Sequence, residues 1–193
     1  MKNFMTAIFT LCAVMFLMLP KASAEVPVPD DIYKWVQSSS RANYYFNMAQ
    51  MCFDVDKDGM MDQNVLIVPI VKTYDALQIK DIQDKRLWRE QDMTGYDDLA
   101  GVAEYLRIDL AQRTVTETQV VDLDSTGSSL ETRYPNRVWV LDKLSEKNLE
   151  RIFYETIIDY GAKHKDELIA RSKGKIKPSD MKKVEKNAKK HKK

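Results

Sequence analysis

Arg113-Thr114-Val115-Thr116-Glu117-Thr118-Gln119-Val120-Val121-Asp122-Leu123 is the stretch that decides the fold. Threonine and valine dominate it. Their branched Cβ restricts χ1 and suits a pleated, half-buried surface, so the segment reads as a strand. Asp124-Ser125-Thr126-Gly127-Ser128 follows with turn chemistry, and Leu130–Tyr134 reads as the return strand of an antiparallel hairpin.

Upstream, Leu99–Leu110 carries two patterns. Leu99, Val102, Ala103 and Leu106 make a helical stripe, whereas Val102, Leu106, Ile108 and Leu110 fit one strand face interrupted by Glu104. Ile79–Arg89 fits neither period. Val65–Val71 is a β-branched strand in which Pro69 cannot donate to a ladder, which places a bulge there or the strand at an edge. Asn43–Phe53, rich in aromatic residues, reads as a strand. Before it, Asp30 or Asp31 is expected to cap a short helix through Ile32, Trp35 and Val36, after an extended leader at Glu25–Pro29. Downstream, Ser145 is expected to cap an amphipathic helix with Leu149, Ile152, Phe153, Thr156, Ile157 and Tyr160 on one face and Gly161 near its end.

The N-terminus has the grammar of a secretory signal peptide. A single charge at Lys2 precedes an apolar run from Phe4 to Leu19, and Pro20 then leads into small residues at Ala22 and Ala24. The run falls short of the ~20 apolar residues of a membrane anchor. Residues 1–24 are therefore expected to be removed and the mature chain exported to the periplasm or cell surface. Residues 25–172 form one sheet-rich domain, and residues 173–193 a lysine-rich tail. Only Cys52 remains in that mature chain, so no internal disulfide is possible, and its Met51-Cys52-Phe53 setting suits a buried thiol.

The net charge of +1 conceals an asymmetry. The tail has ten lysines against Asp180 and Glu185, while residues 25–172 carry 18 basic and 27 acidic residues. A basic tail of this kind either contacts anionic lipid or glycan, or acts as a solubilising end. Nucleic acid is not expected, because the tail has no interleaved aromatic residues.

Read as an order of features, the body resembles the surface-adhesin protein E-like family of exported bacterial proteins. The features are Trp35-Val36, then Tyr44-Tyr45-Phe46-Asn47, then Asp54–Asn64 turning into Val65–Val71. They continue with Tyr105-Leu106-Arg107-Ile108-Asp109-Leu110, the Asp122–Gly127 turn, and Trp139-Val140-Leu141 before Leu144-Ser145-Glu146. The resemblance spans Asp31 to Tyr160. It implies an α+β fold, an antiparallel β-sheet with a C-terminal amphipathic helix packed on one face and a disordered or helical basic tail, and it favours the strand reading of Leu99–Leu110. The family's best-known member joins sheet to helix by a disulfide. Here Leu110 stands at the sheet position and the helix has no cysteine.

The sharpest chemical motif is Asp54-Val55-Asp56-Lys57-Asp58-Gly59-Met60-Met61-Asp62. Asp54, Asp56, Asp58, the Met60 carbonyl and Asp62 occupy the spacing of an EF-hand calcium loop, but Val65 stands where the bidentate glutamate belongs. The competing reading is a β-hairpin with Asp58-Gly59 at its tip and solvated acids. Hydrolytic chemistry is poorly supplied. The histidines are His164 and His191, both in lysine-rich stretches, and no glycine-rich phosphate loop or zinc-type Cys/His cluster occurs. Acidic pairs such as Asp97-Asp98 suit solvated surface. The expected function is that of an exported envelope binding protein, without catalysis or obligate cofactor, whose partner is an unspecified protein or envelope component. A small calcium-stabilised structural module is the alternative, and a hydrolase comes third.

Overall fold

The computed structural model describes residues 26–176. The signal-peptide reading of residues 1–24, and most of the lysine-rich tail, lie outside the described residues.

The described chain is an α+β domain built on one open, mostly antiparallel sheet. Its strands are β1 (Tyr33–Ser38), β2 (Ala42–Asn47), β3 (Cys52–Val55), β4 (Met60–Tyr74), β5 (Leu99–Asp109), β6 (Thr114–Asp124), β7 (Ser129–Arg133), β8 (Arg137–Val140) and β9 (Lys175–Ile176). The spatial order is β1-β2-β4-β5-β6-β7. β3 pairs beside β4 and β8 beside β6. The helices are α1 (Ala76–Trp88), α2 (Leu149–Lys163) and α3 (Lys165–Ser172).

The hairpin read from Arg113–Tyr134 is present as β6 and β7, and Leu99–Leu110 resolves as β5. Several expectations require correction. Trp35 and Val36 lie in β1, where Trp35 faces Tyr45 across the ladder, so the expected helix is replaced by a turn at Asp30–Ile32 leading into a strand. Cross-strand pairing there overrides a weak three-residue helical spacing. Asn43–Phe53 is not one strand but β2 and β3 joined by a turn. Pro69 makes neither an edge nor a bulge, because β4 is central and pairs in register with β5 through Pro69 and Tyr105. On its other side, β3 ends its pairing at Ile67 and β2 begins at Ile70. Pro69 falls in that gap, where no ladder donor is required. The long helix is capped by Asn148, whose side chain accepts from the Arg151 N–H, and Ser145 lies upstream of it.

Ile79–Arg89, ambiguous by period, is α1. Asp75 caps it by accepting from the Gln78 N–H at 2.6 Å. Its one buried residue is Arg86, which explains the missing apolar stripe.

One sheet face carries the main core. Leu66, Val68 and Ile70 of β4, Leu106 and Ile108 of β5 and Val115 of β6 are buried together with Phe153, Tyr154 and Ile157 of α2. Phe153 meets the Tyr44 ring edge-on at 5.3 Å between centroids. Leu149 and Ile152, expected on that buried helix face, are instead exposed. The opposite sheet face is smaller: Val71, Val121 and Leu123 pack with Val26 of the leader. The described chain ends in β9, parallel to the start of β4, so strand pairing continues into the first residues of the lysine-rich stretch.

Candidate functional site

In a strand, residues two apart share a face. The core face of β4 runs Leu66, Val68, Ile70 and then continues to Lys72 and Tyr74, while that of β5 runs Ile108, Leu106, Glu104 and Val102. Register sets Ile70 opposite Glu104 and Lys72 opposite Val102, and carries the row onward to Val120 and Asp122 of β6. Halfway along, one continuous face therefore changes from hydrocarbon to charge. The charged half floors a groove of about 520 Å³. α1 makes one wall, and the β7–β8 connection with Trp139 makes the other.

A bulge shapes the second wall. Glu117 pairs with Leu106 and Gln119 with Tyr105, leaving Thr118 as the extra residue. The Thr118 hydroxyl donates to the Tyr105 carbonyl at 2.8 Å. β8 pairs with β6 below this bulge and β7 pairs above it, so the Tyr134–Asn136 crossing lies beside it with Arg133 and Arg137 at its two ends.

The floor charges are buried and paired. Lys72 Nζ lies 3.0 Å from Glu104 Oε1 and 3.4 Å from Glu150 Oε1. Burial opposes the ammonium, but the Glu104 and Glu150 carboxylates override it and hold the Lys72 pKa well above its usual value. Burial pushes the Glu104 carboxyl upward despite Lys72. Arg133 grips Asp122 through two parallel bonds of 2.6 and 2.8 Å, the bidentate geometry that a guanidinium favours. Tyr96 places its hydroxyl 2.6 Å from Asp122 Oδ2 and 2.9 Å from Glu131 Oε2, and Arg86 stacks 3.7 Å above its ring while pairing with Glu131. Trp139 donates its indole N–H to Glu117 at 3.0 Å. Burial, then the Glu104 and Asp122 carboxylates, push the Tyr74 pKa up, so this phenol stays protonated.

The acidic motif lies elsewhere, in the β3–β4 hairpin. Asp54 pairs with Asp62 across the ladder, and Asp54 also lies 3.6 Å from the Arg107 guanidinium. Asp56 turns inward and accepts from the Asp58 and Met60 N–H groups at 3.0 and 2.9 Å. Asp62 accepts from the Asn64 N–H at 3.0 Å. Gly59 adopts φ +74°, the left-handed conformation at the tip. Asp54, Asp56, Asp58, Met60 and Asp62 thus share one hairpin. Among the described residues, no three His, Cys, Asp or Glu side chains converge as metal ligands would.

Cys52 is half-buried, and burial pushes its thiol pKa up, which disfavours the thiolate. His164 stacks on Tyr160 at 4.1 Å, with Nδ1 3.0 Å from Glu167 Oε1. Neither lines the groove.

Sequence reasoning missed the groove, although one signal was present. Glu104 interrupts an otherwise apolar strand face, and Lys72 does the same in β4. A charged residue at an inward phase of a strand demands a partner.

Comparison with protein-family models, curated proteins and solved structures finds no match to this chain.

Proposed function

We propose that the mature chain is an exported binding protein of the cell envelope that takes its partner in the groove over Lys72 and Glu104 and performs no catalysis. The observation that carries this reading is the state of the groove's ionisable groups. The buried carboxylates of Glu104, Asp122 and Glu117 are bonded to Lys72, Arg133 and Trp139, an arrangement that shapes a rigid surface suited to recognition. The size suits recognition, since ligand pockets commonly span about 300–1,000 Å³. The signal-peptide pattern of residues 1–24 supports export, and the order of motifs shared with the adhesin-like family supports an interaction role. In this reading α2 braces the sheet from one face, and the basic tail adds contact with an anionic envelope surface.

The test is capture of envelope components on the immobilised mature chain, with and without residues 177–193, beside a variant whose groove wall is altered by Trp139→Ala and Arg137→Gln. The expected result is a component retained by both lengths and lost from the groove variant. Retention that ignores the groove substitutions overturns the proposal.

A further inference from the structure

The groove's most exposed charged groups are cations, whereas most of its carboxylates are sunk in the floor with Lys72 and Arg86. Of the four carboxylates that line it, Glu104, Glu117 and Asp122 keep 10%, 7% and 8% of their side-chain surface and each has a bonded partner, while Glu150 keeps 22% and meets Lys72 through Oε1 at 3.4 Å. The charged groups that solvent reaches most are cations. Lys85 and Arg89 stand on the C-terminal part of α1 and just beyond it, and Arg133 and Arg137 flank the β7–β8 crossing on the facing wall.

Their engagement differs. Arg133 is committed to Asp122, and Lys85 pairs outside the groove with Asp81 at 2.6 Å. Arg137 is 62% exposed, with only a long 3.8 Å approach to Glu117, and its guanidinium lies over the Trp139 ring at 5.9 Å. Arg89 is exposed and forms no ion pair among the described residues. Two under-engaged guanidinium groups therefore rise from opposite walls of one groove, in a body whose residues 25–172 carry a clear acidic excess. Clefts lined at the mouth by one sign of charge concentrate ligands of the other sign. A guanidinium presents a planar fork that matches carboxylate and phosphate oxygens.

We infer that the groove is an oxyanion-binding site, in which Arg89 and Arg137 clamp a carboxylate or phosphate group of the ligand between α1 and the β7–β8 crossing. This rests on the groove being the binding site proposed above. Lys85 and Arg133 add attraction at the mouth, and the indole of Trp139 with Pro135 and Ile82 offers apolar contact to the rest of the ligand. The floor carboxylates lie deeper and are already bonded, so they shape the base of the site without meeting the anion at the rim.

The experiment is a titration of the ¹⁵N-labelled mature chain, residues 25–193, followed at the Trp139 indole N–H. The probes are inorganic phosphate, citrate, spermidine, and vesicles of phosphatidylcholine with and without phosphatidylglycerol. The comparison variant is Arg89→Gln with Arg137→Gln, whose melting temperature is measured alongside. Because the lysines of residues 173–193 are common to both chains, binding through them cancels.

The expected result is a saturable shift at Trp139 with phosphate or citrate, or loss of its signal on phosphatidylglycerol vesicles. The variant should weaken that response by about tenfold or more while keeping its melting temperature, in line with the loss of charge-assisted bonds. A response to phosphate or citrate identifies a soluble ligand, whereas a response confined to the anionic vesicles identifies a headgroup. A shift with spermidine alone overturns the oxyanion assignment while leaving the groove as a binding site. No response to any anionic probe, or an equal response from the variant, overturns the assignment as well.

Discussion

Lys72 Nζ sits 3.0 Å from Glu104 Oε1 across two adjacent central strands, with each side chain about nine-tenths buried. The pair marks the point where the sheet face stops being core and becomes groove. A buried ion pair adds little net stability, because desolvation offsets its attraction, yet removing one partner strands the other charge. Lys72→Met should therefore cost roughly 3–5 kcal/mol. The double change Lys72→Met with Glu104→Leu should recover much of that loss. Urea unfolding of the two variants checks this, and equal loss in both would show that the charges are not coupled.

Glu104 also sets a pH dependence. Burial raises its folded pKa above the ordinary 4.5, so between these two values the folded state binds more protons than the unfolded one. Stability from this group is therefore fully present below about 4.5 and declines as pH rises through its folded value. Glu104→Gln should flatten that decline in thermal melts taken at successive pH values. An unchanged slope would remove Glu104 as its source.

Helix α2 should show a sharp contrast along one face. Phe153 is fully buried against Tyr44, so Phe153→Ala should cost roughly 3–5 kcal/mol. Leu149 is 43% exposed, and Leu149→Ala should cost less than about 1 kcal/mol. Similar losses at both positions would mean that the helix is rotated from the arrangement described.

Gly101 and Gly161 should respond differently to alanine. A Cβ at Gly101 would meet the Lys72 carbonyl oxygen at 2.5 Å, a backbone atom that cannot swing away. At Gly161 the closest atom is the flexible Met51 Cε at 2.8 Å, and alanine gains helix propensity there. Gly101→Ala should therefore lower stability by roughly 1–3 kcal/mol, more than Gly161→Ala does. Differential scanning calorimetry of the two variants decides the order.

In the acidic hairpin, Asp56 holds the turn by accepting from the Asp58 and Met60 N–H groups. Asp56→Ala should lower stability by about 1 kcal/mol. Melting curves of the parent chain should coincide with and without millimolar calcium. A calcium-dependent rise that Asp56→Asn abolishes would restore the cation-loop reading.

Much of the sheet was legible in the sequence because its strands have local reasons to be strands. Thr114–Asp124 is rich in β-branched residues, and the Asp124–Ser128 turn follows at once. β1 was not legible, since Trp35 and Gln37 commit to a strand only through Tyr45 and Tyr44 of β2, with Val36 at the register shift between them. The helix α1 hid for a different reason: it buries a salt-bridged arginine where a periodic apolar stripe would have been visible. The groove lies at the far end of that scale. Lys72, Glu104, Glu117 and Asp122 stand on three strands, and only the ladder register brings them together. Polar residues at inward strand phases were the one local trace of it.

The central claim, that this groove is where the chain meets its partner, is tested most directly by photocrosslinking in living cells. A photoreactive amino acid is placed in turn at Arg89, at Arg137, and at Trp35 on the distant β1 edge. The account predicts one discrete adduct, of the same mass from positions 89 and 137, and none from position 35. Adducts from position 35 alone, or silence at both groove positions, would contradict it.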